Sequence, residues 1–135
     1  MINYLYLKNN MILQNNFYNV SELTSINDYK FDVEIQFNQS HKIFEAHFPN
    51  QPIVPGACLT QISKELIESY FSHQINILNF KSLKFIKTID PNEYPIVTFT
   101  ITVSPNGSDF AAQISIGYEN IIFCKLDYQY SISHD

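Results

Sequence analysis

The residues best placed to do chemistry fall in one stretch: His47-Phe48-Pro49-Asn50-Gln51-Pro52-Ile53-Val54-Pro55-Gly56-Ala57-Cys58-Leu59-Thr60-Gln61. Imidazole titrates near neutral pH, which suits His47 to general base work. Pro49, Pro52 and Pro55 stiffen the following loop into extended, turn-rich backbone with no room for helix. Gly56 then opens a run with helical periodicity. A helix start exposes backbone N–H groups that carry partial positive charge and can hold a carbonyl oxygen or an anion. A general base delivered to a ready-made oxyanion site is a catalytic arrangement.

The pattern His-Phe-Pro-x-x-Pro-x-x-Pro-Gly followed by a mostly apolar helix resembles the signature of the 3-hydroxyacyl-(acyl-carrier-protein) dehydratases of fatty-acid synthesis. That resemblance implies an α+β hotdog fold, in which an antiparallel sheet wraps a long central helix. It implies His47 as base, the Gly56 backbone N–H as donor to the thioester oxygen, and Phe48, Pro55 and Ala57 as substrate-binding positions. It places an acid fourteen residues after the histidine, where the family carries Glu or Asp. Here that residue is Gln61.

A carboxamide is no general acid; it can only hold a water or the substrate hydroxyl by hydrogen bonds. Losing a positioned general acid costs about 10²–10⁴-fold in rate. Three readings follow. His47 takes the C2 proton and passes it to the hydroxyl while Gln61 orients that hydroxyl; or Glu65, one helical turn on, substitutes; or the chain is a poor catalyst that binds acyl groups. The first is favoured because the rest of the motif is intact. The run Pro55-Gly56-Ala57-Cys58-Leu59-Thr60-Gln61-Ile62-Ser63-Lys64-Glu65-Leu66 is also similar to the helix start of a subgroup of dehydratase-like proteins with glutamine at this place.

Each residue has a plainer reading. His47 alone could be a structural histidine bonded to a loop carbonyl. Cys58 sits in the first helical turn, where the helix dipole lowers a thiol pKa, yet a small buried filler is the expected role. His41 and His73 fall at turns and are expected to be exposed. Glu65 is expected in a surface or interface pair. Lys81, Lys84 and Lys87 form either a docking patch for an acidic carrier protein or a solvated edge that discourages aggregation. Strand alternation puts Lys81 and Lys87 on one face and Lys84 on the other.

Composition narrows the class. At 135 residues the chain suits one domain, with residues 1–10 as a candidate upstream extension before Met11. Hydrophobic residues make up 45% and charged residues 16%, which argues against disorder. The net charge is −5 and every basic residue is lysine, which disfavours nucleic-acid binding. Cys58 and Cys124 form neither metal-ligand spacing nor a disulfide framework, so reduced thiols in a cytoplasmic protein are expected. No basic n-region begins the chain and no apolar run nears the ~20 residues that span a bilayer.

Residues 11–23 read as a strand or short helix, and 24–28 as a turn. From Tyr29 to Asn38 apolar and polar residues alternate, which predicts a half-buried strand. Residues 39–42 turn the chain, and 43–46 lead into His47. Leu59, Ile62, Leu66 and Tyr70, widened by Cys58, Ile67 and Phe71, predict a helix over 57–72, with Lys64 and Glu68 as an i,i+4 pair. Residues 75–89 hold one or two strands, and 90–93 a turn. Strands follow at 94–104, 110–118 and 121–132, with turns at 105–109 and 119–120.

The expected function is a dehydratase acting on 3-hydroxyacyl thioesters, with no metal and no diffusible cofactor. In the resembling family the site forms between two subunits, so a homodimer is the minimum assembly and Gln61 should approach the partner's histidine. An acyl carrier protein or coenzyme A would present the acyl chain. The alternatives are a hotdog thioesterase and a non-enzymatic acyl-binding partner of an active dehydratase.

Overall fold

Alternation in the sequence becomes a strand with one dry face. In the computed structural model, which describes residues 13–46 and 52–133, Phe31, Val33, Ile35 and Phe37 of β2 (Lys30–Phe37) are all buried. Tyr29 departs from the expected pattern. It lies in the turn ahead of the strand, 55% exposed, with its N–H donated to Asn27 Oδ1 at 2.8 Å.

Strand β1 (Tyr18–Asn27) pairs antiparallel with β2. It therefore runs through residues 24–27, which composition marks as a turn. The β2 ladder holds these polar residues extended, and an edge strand wet on most of its length tolerates them. The residues just before it, 13–17, form a tight turn, with Phe17 N–H on Leu13 O at 2.7 Å and Asn15 at φ 66°. Asn is among the few residues that adopt this left-handed conformation readily.

A short helix, α1 (Lys42–Ala46), occupies the segment expected only as a lead-in. His41 Nδ1 accepts the Ile43 N–H at 3.1 Å and so satisfies one of its orphan donors. The main helix, α2 (Gly56–Phe71), matches expectation to within one residue. Its 16 residues span ~24 Å. Pro55 is the N-cap and Ser72 closes the helix in the left-handed region.

The remaining strands are β3 (Ile75–Phe85), β4 (Ile96–Asn106), β5 (Asp109–Tyr118) and β6 (Ile121–Ile132). Residues 75–85 thus make one strand, irregular at Ile77/Asn79 and Phe80/Ser82. Pro105 belongs to β4 opposite Phe110, and the hairpin turn contracts to Gly107 and Ser108. Gly107 supplies φ 66° at the first loop position, as a two-residue hairpin demands.

Among the described residues the six strands form one antiparallel sheet in the order β1-β2-β4-β5-β6-β3. Helix α2 packs on one face. Cys58, Leu59, Ile62, Leu66 and Ile67 share a single core with Phe99, Ile101, Ile116, Leu126 and Tyr128 of the sheet. Tyr70 stacks on Phe31 at 3.8 Å between ring centroids. The Lys64–Glu68 pair forms at 3.6 Å. Among the described residues, no helix is long and apolar enough to cross a membrane.

Candidate active site

Residues 52–55 lead into the helix start. Val54 is buried, and its N–H is donated to Ile89 O at 2.9 Å, which fixes the last loop residues against the segment after β3. Pro55 is extended (φ −64°, ψ 143°) and contributes no side-chain cap, while its carbonyl accepts the N–H groups of Cys58 and Leu59. Gly56 and Ala57 therefore present the first N–H groups of α2 without a capping side chain, as an oxyanion site requires. A Cβ added to Gly56 would stand 2.7 Å from Cζ of Phe85, so the end of β3 lies against the helix start. Ala57 is exposed and Pro55 half-buried. His47 and Phe48 lie outside the described residues.

Gln61 sits one and a half turns into α2 and is only 7% exposed. Its Nε2 donates to Glu65 Oε2 at 2.9 Å. Glu65 is itself buried, which corrects the expected surface or interface pair. Leu13 N–H is donated to Oε2 at 2.8 Å, Gln14 N–H to Oε1 at 2.9 Å, and the Tyr18 hydroxyl to Oε1 at 3.0 Å. Burial and the nearby Glu65 charge hold the Tyr18 phenol well above its ordinary range. The sequence carried a signal for this burial: Glu65 falls three residues after Ile62 and one before Leu66, inside the apolar stripe. The residues that bond it arrive from the far N-terminal segment, which periodicity cannot show.

A cavity of about 340 Å³ opens beside these groups, bordered by Gln61, Glu65 and Glu68 of α2, Asn76 of β3 and Ser133. Glu68 also accepts the Ile75 N–H at 2.9 Å, tying the helix to the start of β3.

Cys58 is buried, as a filler would be. Burial and the Glu65 charge push its thiol up to about 12, reversing the lowering expected from the helix dipole. Water-free surroundings cost the thiolate more than the helix start returns. His41 and His73 are half-buried rather than exposed, His41 edge-on to Phe17 and His73 stacked on Phe71. Burial and neighbouring Lys42 lower the His41 pKa.

Lys81, Lys84 and Lys87 are all exposed. Lys84 borders a shallow groove of about 430 Å³ with Lys125 and Asp127 on the sheet's outer face. Lys87 lies past the end of β3, where strand alternation no longer applies. Its ammonium sits over the Tyr94 ring, 5.4 Å from the centroid.

A sequence model of the ApeI-like family, described as ApeI dehydratase, matches residues 22–120, which include the stretch from His47 to Gln61. The chain belongs to the ApeI-like dehydratase family. Among curated proteins, no sequence matches it. Its fold is that of the hotdog proteins. The dehydratase heterocomplex ApeI:P from Xenorhabdus doucetiae is similar with a TM-score of 0.63 and 10% identity, over 83% of this chain and 96% of that one. A hypothetical thioesterase with coenzyme A from Streptococcus pneumoniae is similar with a TM-score of 0.61 and 11% identity, over 86% and 85% of the two chains. A mutant thioesterase from Pseudomonas aeruginosa follows with a TM-score of 0.58 and 12% identity, over 84% and 80%. At these identities the likeness speaks for the fold of this ApeI-like chain, not for its reaction.

Proposed function

We propose that this ApeI-like chain eliminates water from a 3-hydroxyacyl thioester to give the trans-2-enoyl thioester. The observation that carries the reading is the dehydratase-family match across the stretch that holds His47, Gly56 and Gln61. His47 removes a proton from C2. The Gly56 N–H at the uncapped helix start receives the charge that builds on the thioester oxygen. The resulting imidazolium gives its proton to the C3 hydroxyl, the C3–O bond breaks, and water leaves as the C2–C3 double bond forms. Gln61 orients the hydroxyl; Phe48, Pro55 and Ala57 border the acyl group. No metal or diffusible cofactor takes part.

The site is completed by a second copy of the chain. Among the described residues strand β3 pairs only with β6, which leaves its other edge open. That edge carries Leu78, Phe80, Leu83 and Phe85, each more than 40% exposed. An open apolar edge is a template for another strand. Because Phe85 touches Gly56, pairing along β3 puts the helix start at the boundary between two copies. There Gln61 of one copy approaches the histidine of the other. The similar Xenorhabdus dehydratase is a heterocomplex, which favours a second assembly in which a different chain takes the β3 edge. Lys81, Lys84 and Lys87 dock the acidic carrier protein that brings the acyl chain in the cytoplasm.

Thioester hydrolysis is the runner-up, since hydrolases share the fold. It requires a carboxylate at the helix start, and the buried one on α2, Glu65, already has four donors on its two oxygens.

The test is hydration of trans-2-enoyl thioesters, offered on carrier protein and on coenzyme A. Turnover lost in His47→Ala is the expected result. Release of free thiol instead identifies a thioesterase. No turnover, with activity gained in Gln61→Glu, identifies a degenerate acyl-binding site.

A further inference from the structure

We propose that Glu65 is the positioning residue of the site: acting through Gln61, it fixes which end of the carboxamide meets the substrate. The inference rests on the dehydratase reading above. A carboxamide has a donor end and an acceptor end of nearly the same shape, and nothing intrinsic selects one to face a ligand. Here the neighbour selects it. The Leu13 and Gln14 N–H groups, which can only donate, engage one Glu65 oxygen each, so both oxygens act as acceptors. Only the N–H end of Gln61 can then face Glu65, as the 2.9 Å contact on Oε2 shows. The carbonyl end is turned away from the carboxylate.

That choice has a chemical consequence. A carbonyl oxygen presented to the C3 hydroxyl accepts the hydroxyl's own hydrogen. The oxygen lone pairs are then aimed elsewhere, and the proton that His47 took from C2 can reach them. Water departs with both hydrogens accounted for. With the amide reversed, an N–H would occupy a lone pair of the leaving oxygen and compete with that proton. Glu65 therefore makes a glutamine serviceable at a place where an acid is usual.

The carboxylate is itself held from outside the helix. The segment from Leu13 to Tyr18 contributes three of its four hydrogen bonds, across 47–52 residues of sequence. The turn at 13–17 thus reports to the site through one buried side chain.

The experiment is a double-mutant cycle between Gln61 and Glu65 on the full chain, read by enoyl-thioester hydration, together with the side-chain amide resonances of Gln61. Glu65→Gln keeps shape but offers Gln61 either end. It is expected to lower kcat about 10- to 100-fold with little change in KM. In a Gln61→Ala background the same change should cost nothing further, because its route is already gone. The Gln61 amide protons should exchange slowly in the native chain and fast in Glu65→Gln. Equal losses from Glu65→Gln in both backgrounds overturn the proposal, as does a fast-exchanging amide in the native chain. A native chain that is inactive yet has the protected amide overturns the dehydratase reading and leaves the anchoring intact. If Glu65→Gln does not fold, the native chain alone decides: slow exchange of the Gln61 amide protons is the expected result, and fast exchange overturns the proposal.

Discussion

The ring of Phe85, on the strand that edges the sheet, rests against the Cα of Gly56, the first residue of the 16-residue helix α2. A methyl group on Gly56 would meet ring carbons Cζ and Cε1 at 2.7 and 2.8 Å. The ring is the free end of a side chain that is 56% exposed, so it can swing away. Gly56→Ala is therefore expected to change stability by no more than about 1 kcal/mol while displacing the ring from the helix start. Hydration activity should fall, and Phe85→Ala in the same chain should restore part of it. Thermal unfolding and steady-state kinetics check both halves.

Ser63 and Tyr128 join helix to sheet, their hydroxyls 2.8 Å apart in a dry interface. Ser63 Oγ also donates to Thr60 O at 2.7 Å, so its one hydrogen is spent and Tyr128 is the donor between them. The two deletions are then unequal. Tyr128→Phe leaves Ser63 bonded and should cost about 1 kcal/mol. Ser63→Ala strands a buried phenol and should cost about 1–3 kcal/mol. Urea unfolding of both variants ranks them.

Alkaline pH should weaken the fold. Burial lifts Cys58 from 9.0 to about 12, Cys124 from 9.0 to about 11 and Tyr130 from 10.0 to about 12. Each is raised above its unfolded value, so the folded chain binds more protons. The contribution is complete below pH ~9 and is lost as pH climbs toward about 12. Melting temperatures measured from pH 7 to 11 should fall above 9. Over the neutral range both thiols should resist a disulfide reagent until the chain is unfolded.

Gln61→Glu puts a second carboxyl within hydrogen-bond reach of Glu65. Two such groups share a proton. The pair's upper pKa is raised by folding, so its stability is present at low pH and lost as pH rises through that value. The variant should be closest to the native chain near pH 5 and fall behind it at pH 8. A pH series of unfolding midpoints decides this. Adding Glu65→Gln should remove the pH dependence.

Pairing of two copies along β3 predicts that a charge on that edge separates them. Leu83→Asp, at a position 44% exposed, should leave the circular dichroism spectrum unchanged and convert the dimer to monomer. Sedimentation velocity reads the outcome. Activity should fall with the dimer, since Gln61 and the histidine then no longer meet.

Much of the frame was legible because burial imposes period. The dry face of β2 and the stripe of α2 follow from residue spacing, and the Gly107 and Glu119 turns from local chemistry. β1 was cut short because its polar residues are held by a neighbouring strand, not by their own preference. The single turn of α1 is too brief to show a stripe. Gln61 and Gly56 were placed by motif, and the structure adds their surroundings. What no spacing could announce is what Glu65 bonds: three of its four donors come from residues 13–18, some fifty positions away in the chain.

The strand order has a further effect on how the molecule is made. β3 leaves the ribosome directly after the main helix, yet its only sheet neighbour among the described residues is β6, which is made after β4 and β5. β2 likewise waits for β4 across the helix and β3. Until β6 arrives, β3 lacks its partner among the described strands, and its apolar side chains are open to water. The nascent chain is thus most prone to aggregation in the interval between the synthesis of β3 and that of β6, and β6 acts as the clasp that closes the sheet.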